Sequence, residues 1–158
     1  MPEPPAHSRL PAFNHVAMGV PSELLGERER GEILDFYGEV FGWTEMPTMT
    51  KDGQLLVLRC YSNEQFVFLH ATRTPMRCDE MDHFGMSVGT EQELDAMLAR
   101  ARTYRERDAR VEIIDKKTDD FRVLKLHNFY VRYLLPLMVE VQCYEWAAGF
   151  GEQSQPTA

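Results

Sequence analysis

The sequence predicts an α+β protein made of two βαβββ modules, whose strands form a cup-shaped mixed sheet with the helices outside. A strand pattern followed by a helix pattern occurs twice, and three more strand patterns follow each copy. The two starting strands, at 13–20 and 81–88, each carry a histidine near the beginning, on the face that otherwise holds small residues. These residues, His15 and His83, are therefore predicted to face one shared site.

The first module is predicted over residues 13–72. In its first strand, Val16, Met18 and Val20 share one face, because side chains alternate along a strand. Apolar residues at helical spacing predict a helix over 32–41 that ends at Gly42, preceded by a charged loop over 21–31. Three strands are then predicted, at 43–49, 54–61 and 65–72.

The second module is predicted over residues 81–147. Thr90 and Glu93 have the spacing of a capping box, which places a helix over 91–107. The strands that follow are predicted at 111–115, from 121 or 122 to 133, and at 138–144, with a polar turn at 116–120. Residues 1–12 are predicted as an arm, 73–80 as a linker between the modules and 148–158 as a tail.

The composition limits the classes of partner. The 158 residues carry a net charge of −8, which argues against nucleic acid or an anionic membrane surface. The chain has no apolar run of membrane-spanning length and no signal-peptide layout, so a cytoplasmic protein is expected. Three scattered cysteines without CxxC spacing indicate reduced thiols that pack in the fold.

Glu140 stands in the middle of an apolar strand pattern, Leu137 to Cys143. A carboxylate is costly to bury there unless it is paired, hydrogen-bonded or bound to a cation. With His15 and His83 on corresponding faces of the two copies, Glu140 completes a set of two imidazoles and one carboxylate. Such a set holds a divalent metal with open positions, at which a substrate oxygen is bound and polarised.

Four stretches carry a recognisable pattern: Asn14-His15-Val16-Ala17, FYGEVFGW at 36–43, DHFGMSV at 82–88 and YVRYLLPLMVEV at 130–141. Together they resemble the vicinal oxygen chelate superfamily, which includes glyoxalase I, bleomycin-resistance proteins, extradiol dioxygenases and fosfomycin-resistance enzymes. FYGEVFGW is similar to the family's FYxxxLGF, and residues 130–141 fit its YFRDPDGNLIEL ending without a gap. This resemblance implies a glyoxalase/bleomycin-resistance/dioxygenase-like fold over residues 13–147.

By this resemblance His15, His83 and Glu140 fall on metal-ligand positions. The fourth family position aligns with Phe68, which cannot ligate, and His70, two residues further, is a candidate for a fourth ligand or a base. Glyoxalase I uses four protein ligands, so the set here is more similar to that of the extradiol dioxygenases and fosfomycin enzymes. For fosfomycin chemistry the expected hydroxyl residue and a Ser-rich loop are absent.

The extradiol interpretation gives a role to Tyr130, which lies ten residues before Glu140, where those enzymes have a substrate-binding tyrosine. The same interpretation predicts a substrate pocket, and His70 is its candidate acid or base. His127 is a candidate for the pocket only if a bulge brings it to the face of Tyr130. The predicted pocket residues are Phe68, Leu58, Phe129 and His127, with Arg59 and Arg132 as candidates for binding an anionic substrate.

These features favour a divalent-metal-dependent enzyme acting on a small molecule with vicinal or enolisable oxygens, with extradiol ring cleavage as one version. Fe²⁺, Mn²⁺, Zn²⁺ and Ni²⁺ all suit the ligand set. The alternative is a metal-free protein that binds an antibiotic or aromatic molecule, as bleomycin-resistance proteins do on the same scaffold. A third possibility is an accessory module with a vestigial metal site.

One departure from the family pattern concerns oligomeric state. The polar turn of the family is replaced at 133–137 by YLLPL, which is apolar. An apolar turn is a poor choice in water, so we expect it to be covered by a partner subunit or by the tail. A homodimer follows as a hypothesis.

Overall fold

A computed structural model describes residues 12–151. Within that range the chain forms eight strands, two α-helices and one short 3-10 helix. The strands are β1 (His15–Val20), β2 (Thr44–Glu45), β3 (Leu55–Arg59), β4 (Phe66–Ala71), β5 (His83–Val88), β6 (Glu112–Asp120), β7 (Leu124–Arg132) and β8 (Met138–Trp146); the helices are α1 (Glu27–Phe41) and α2 (Glu91–Arg107), and the 3-10 helix is Ser22–Leu25. The predicted α+β class and the repeated βαβββ order are confirmed.

The strands form two four-stranded mixed sheets of the same topology, β1-β4-β3-β2 and β5-β8-β7-β6. In each sheet the first strand runs parallel to its neighbour, and the other pairs are antiparallel. His15 pairs with Phe66, and its counterpart His83 pairs with Met138. β1 and β5 each have one bonded neighbour in the described sheets, so both are edge strands.

Local sequence explains where the helices begin and end. α2 begins with the predicted capping box, in which the Thr90 hydroxyl accepts from the Glu93 N–H and the Glu93 carboxylate accepts from the Thr90 N–H. α1 ends at Gly42, whose φ of +73° favours glycine, as predicted. α1 begins at Glu27, earlier than predicted, because acidic residues in its first turn interact favourably with the positive end of the helix dipole.

The two helices pack against each other and join the modules. Their apolar faces bury one side of each sheet, and polar contacts fix the crossing. The Arg100 guanidinium donates to the Val40 carbonyl at 2.8 Å, and the Tyr104 hydroxyl donates to Asp35 at 3.0 Å. Because the helices occupy one side of each sheet, the other side remains for a site. We call this other side the open face of each sheet.

The apolar turn at 133–137 is covered by its own chain. Tyr133 is fully buried and Leu135 is 3% exposed. The Tyr37 hydroxyl, on α1, donates to the Tyr133 carbonyl at 3.2 Å, and the Tyr133 hydroxyl donates to Asp108 at 2.7 Å. The expectation of cover by a partner subunit or the tail is therefore wrong for these residues. The turn gives no ground for a dimer.

Three strand boundaries differ from the prediction. The polar stretch 116–120 is not a turn but the second half of β6, which pairs with β7 beyond an irregularity between Ile114 and Lys117. β2 is limited to Thr44–Glu45, because Pro47 follows and cannot donate to a sheet. The β6–β7 turn lies at 121–123, where Arg122 has a φ of +70°.

No helix among residues 12–151 has the length and apolar character needed to cross a membrane. The predicted arm up to residue 11 and the predicted tail from residue 152 lie outside the described residues.

Candidate metal centre

The open face of the second sheet brings together a histidine, a glutamate and a tyrosine. His83 begins β5, Glu140 lies near the start of β8 and Tyr130 lies on β7. Glu140 pairs with Gly85 on one side and with Tyr130 on the other. Since side chains two residues apart share a face of a strand, His83 lies on the same side as Glu140.

A backbone carbonyl orients the His83 ring. Its Nδ1 lies 2.6 Å from the carbonyl oxygen of Met81 and donates to it, since a carbonyl can only accept. Its Nε2 lies 3.3 Å from Glu140 Oε2. Histidines that bind metals commonly donate one ring N–H to a carbonyl or carboxylate, which fixes the ring and presents the other nitrogen to the metal.

The Glu140 carboxylate is almost completely buried, with 5% of the residue exposed. His83 is its one ion-pair partner among residues 12–151. When His83 is neutral and Nδ1 carries the proton, Nε2 is a lone pair that faces the carboxylate oxygen. Two acceptors at 3.3 Å repel each other, and either a proton or a bound cation relieves this repulsion. His83 and Glu140 are therefore two ligand-type groups of the kind that a divalent cation binds.

Tyr130 lies against both groups. Its ring meets the His83 ring edge-on, with 5.1 Å between centroids, and its hydroxyl interacts with the Glu140 carboxylate. Burial and this interaction raise the pKa of Tyr130 to about 12. Near neutral pH the Tyr130 hydroxyl therefore stays protonated, so it acts as a hydrogen-bond donor beside the His83–Glu140 pair.

The first sheet carries the other predicted ligand in a different setting. His15 is exposed on β1, its Nδ1 lies 2.7 Å from Asn14 Oδ1, and its ring stacks on Phe66 with 5.1 Å between centroids. Phe68 pairs with Ala17 and thus occupies the place in this module that Glu140 has in the other. The first module therefore offers one ligand-type side chain at this position.

His70 does not join His15 as a further ligand. It lies four residues along β4 from Phe66, the residue paired with His15, which is a rise of about 13 Å. Its ring is near Phe68, with 6.0 Å between centroids. The expectation that His70 supplies a fourth ligand is not supported by this placement.

Residues 12–151 contain no group of three His, Cys, Asp or Glu side chains close enough to hold a metal ion. The chain brings His83 and Glu140 together, but it does not bring His15 to them. The set of three that the sequence predicts is therefore not assembled within the described part of one chain.

Three of the predicted pocket residues lie on the opposite side of the sheets. Leu58 and Phe129 belong to the apolar core beneath the helices, with 1% and 0% exposed. His127 shares the strand face of Phe129, where its Nδ1 lies 2.8 Å from Thr118 Oγ1. No bulge brings His127 to the face of Tyr130, so these three pocket assignments were wrong. Phe68 alone of the predicted pocket residues lies on an open face.

Sequence reasoning missed two residues of the open faces. Asn128 is 2% exposed on the face of Tyr130, and its Oδ1 has no hydrogen-bond partner among the described residues. Phe66 supports the His15 ring. The sequence could have identified Asn128, because it lies two residues before Tyr130 on β7 and therefore shares its strand face.

A cleft of about 770 Å³ lies between the two edge strands and α2. Its lining includes His15 and Phe66 from the first module and Phe84 and Met97 from the second. His83 and Glu140 are not part of this lining. This cleft therefore adjoins the edge of β1 and the edge of β5, while the His83–Glu140 pair lies on the open face of the second sheet.

A scan against protein-family models finds no match, and a search of the curated proteins finds none. Solved structures do match. A lactoylglutathione lyase from Agrobacterium tumefaciens superimposes with a TM-score of 0.55 and 17% identity, covering 89% of this chain and 96% of its own. A glyoxalase/bleomycin resistance protein/dioxygenase from Alicyclobacillus acidocaldarius gives a TM-score of 0.59 and 16% identity, over 82% and 89%.

The chain has the glyoxalase/bleomycin resistance protein/dioxygenase fold. The fosfomycin resistance protein FosX from Listeria monocytogenes shares it, with a TM-score of 0.57 and 11% identity over 85% of this chain and 94% of its own. The resemblance seen in the sequence is thus confirmed for the fold. At these identities the glyoxalase/bleomycin-resistance fold is what the likeness establishes, and activity has to be argued from the site.

Proposed function

We propose that this chain is a divalent-metal-dependent enzyme that acts on a small molecule with vicinal or enolisable oxygens, and that His15, His83 and Glu140 hold the metal. The observation that carries the proposal is the pair of facing acceptors, His83 Nε2 and Glu140 Oε2, 3.3 Å apart in a buried setting. Fe²⁺, Mn²⁺, Zn²⁺ and Ni²⁺ are all compatible with two imidazoles and a carboxylate. When bound, the metal supplies a Lewis acid that stabilises negative charge on substrate oxygens.

Each side chain of the site has its own role in this proposal. Glu140 and His83 bind the metal, and the Met81 carbonyl orients the His83 ring. Tyr130 lies at the edge of the site, where its single O–H can be directed either at Glu140 or at a substrate oxygen. Phe68 cannot coordinate, so three protein ligands leave more open positions than four would. Ring cleavage by dioxygen at the bond adjacent to two oxygen-bearing carbons, as in extradiol dioxygenation, is the version of this chemistry that a three-ligand site favours.

The separation of His15 from the other two ligands favours a homodimer in which His15 of the partner subunit completes each site. β1 and β5 are edge strands of the two sheets in the described part of the chain, and His15 and His83 lie on them; Gly19 of β1 accepts a hydrogen bond from the Met76 N–H. A twofold axis that sets β1 of one copy beside β5 of the other forms two equal sites. The cleft between the two edges is the space that such an arrangement would close. The expected location is the cytoplasm.

Metal analysis tests the proposal. Protein purified without chelators is expected to carry about one divalent ion per chain, as a single site predicts. His83→Ala and Glu140→Ala are expected to lose it, while Glu106→Ala, an exposed carboxylate on α2, keeps it. Wild-type protein that takes up no divalent metal even when the metal is supplied in excess would refute the enzyme proposal.

The cleft supports a second candidate, a metal-free binding protein. Its volume is that of a site for a drug-sized ligand, and aromatic residues such as Trp43 and Phe84 line it. Retention of a small apolar molecule by protein that binds no metal, with loss of that binding in Trp43→Ala and no change in Glu140→Ala, favours this alternative.

A further inference from the structure

Next to the His83–Glu140 pair, the open face of the second sheet carries a row of uncharged polar side chains. Ser87 on β5 pairs with Gln142 on β8, and Gln142 pairs with Asn128 on β7. Each of the three lies two positions along its strand from the row that contains Glu140, so both rows share one face and are about 6.7 Å apart. A molecule with its oxygens at the pair can therefore extend over this row, which we call the polar row.

One member of the polar row has an acceptor that is not used. Asn128 is 2% exposed, and its Oδ1 has no hydrogen-bond partner among the described residues. The residues paired with it on either side, Gln142 and Lys117, have longer side chains, which are half-buried and exposed respectively. A buried acceptor without a donor is costly, and folded proteins rarely keep one. A ligand that supplies a donor satisfies it once either of these flexible side chains moves aside.

The Gln142 amide presents donors beside the same acceptor. Its Oε1 accepts a hydrogen bond from the Tyr144 hydroxyl at 2.6 Å, which leaves the two N–H groups of the amide for a ligand. A methyl group added at Gly85 would meet Gln142 Oε1 at 3.5 Å and Glu140 Oε2 at 3.7 Å, which are ordinary contacts. Gly85 therefore leaves space for a small group between the carboxylate and the amide, at a position where the first module has Ala17.

We infer that the substrate carries a neutral carboxamide-type group beside its metal-binding oxygens, and that Gln142 and Asn128 bind this group. The inference rests on the proposed function, because the metal at the His83–Glu140 pair fixes the other end of the molecule. An amide has its acceptor and its donor on separate atoms, so it can accept from Gln142 and donate to Asn128 on the neighbouring strand.

An acid group fits this place less well than an amide. A carboxylate has no hydrogen to give to Asn128 Oδ1, and it carries the same charge as Glu140. Asn128 is thus a specificity-determining residue, which selects a neutral group over an anion of nearly the same shape.

Three probes that share a catechol ring test the inference. Catechol, 3,4-dihydroxybenzamide and 3,4-dihydroxybenzoate are titrated by calorimetry into the zinc-loaded protein, because zinc has no redox chemistry with catechols. In the two substituted rings, the added group lies about as far from the catechol oxygens as the polar row lies from the Glu140 row, about 6.7 Å. The wild type is expected to bind the amide at least about tenfold more tightly than catechol or the acid, because only the amide satisfies the buried acceptor.

Asn128→Leu tests the residue itself, because leucine has nearly the shape of asparagine but no acceptor. It is expected to bind the amide and catechol about equally, with zinc content unchanged and no fall in the melting temperature of the ligand-free protein. Gln142→Leu, at a half-buried position, should also reduce the preference for the amide. Gln92→Leu is the matched control, since it removes an exposed amide on α2 and should keep the full preference.

The failure of this inference differs from the failure of the proposed function. If the zinc-loaded wild type binds the amide no more tightly than catechol or the acid, or if Asn128→Leu and Gln142→Leu keep the full preference, the inference is wrong and the proposed function stands. If the chain takes up no zinc and binds none of the three probes, the proposed function itself fails.

Discussion

Replacing Glu140 by glutamine distinguishes a metal site from an ordinary buried ion pair, because the two predict opposite changes in the stability of the metal-free protein. When His83 is neutral in the metal-free wild type, the carboxylate faces a lone pair on His83 Nε2 at 3.3 Å. A glutamine amide instead donates to that lone pair, and its oxygen stays beside Tyr130. Glu140→Gln is therefore expected to stabilise the metal-free protein while removing a ligand.

The magnitude follows from the burial of the pair. An unsatisfied buried acceptor costs about 1–3 kcal/mol, so the free energy of unfolding should rise by about that amount. For a chain of this length, each kcal/mol corresponds to about 3 °C in the melting temperature. At a free metal concentration of about 100 times its dissociation constant, the wild type should gain about 2.7 kcal/mol and the variant almost nothing.

The assay is chemical and thermal unfolding of both proteins, with chelator and with metal. Glu106→Gln serves as the control, because its carboxylate is exposed on α2 and the change should stay within about 0.5 kcal/mol. A loss of about 3–5 kcal/mol in metal-free Glu140→Gln would mean that His83 is charged and that the two groups form a buried salt bridge. That result would refute the argument for a cation.

Three further outcomes are expected. Mixing unfolded His15→Ala and Glu140→Ala chains and refolding them should restore about one quarter of the wild-type metal content, because half of the dimers are mixed and each mixed dimer has one intact site; no restoration would exclude a shared site. Tyr37→Phe should lower the free energy of unfolding by about 1–3 kcal/mol, measured by denaturant titration, because the buried backbone of Tyr133 loses its partner. The folded-state pKa of Tyr130 is raised from 10.0 to about 12, so its contribution to stability is present below pH 10.0 and is lost as the pH rises towards 12. Tyr130→Phe should lessen the fall in stability over that range, and an unchanged alkaline unfolding curve would contradict this.

Much of the fold could be predicted from residue periodicity. The extent of α2 followed from Thr90 and Glu93, whose capping geometry is local in sequence. The failures occurred where tertiary context overrode local pattern. Residues 116–120 are polar and read as a turn, yet they pair with β7, since an outer strand exposed to water needs no apolar face.

The candidate site was predictable by residue type but not by arrangement. Alternation predicted the strand faces of His83 and Glu140, the family resemblance indicated Tyr130, and the register of β5, β8 and β7 brings the three together. Alternation also puts Phe129 and Tyr130 on opposite faces of β7, so it could have excluded Phe129 from a pocket that contains Tyr130. How far His15 lies from the pair depends on how the two modules pack through α1 and α2, which no local pattern encodes.

The two modules repeat one topology but divide the chemistry between them. At the position that corresponds to Glu140, the first module has Phe68, so its open face carries aromatic rings where the second carries the buried carboxylate. A carboxylate in place of Phe68 would give the first module a second ligand-type side chain beside His15. Corresponding positions of the two copies therefore carry a potential metal ligand in one module and a side chain that cannot coordinate in the other.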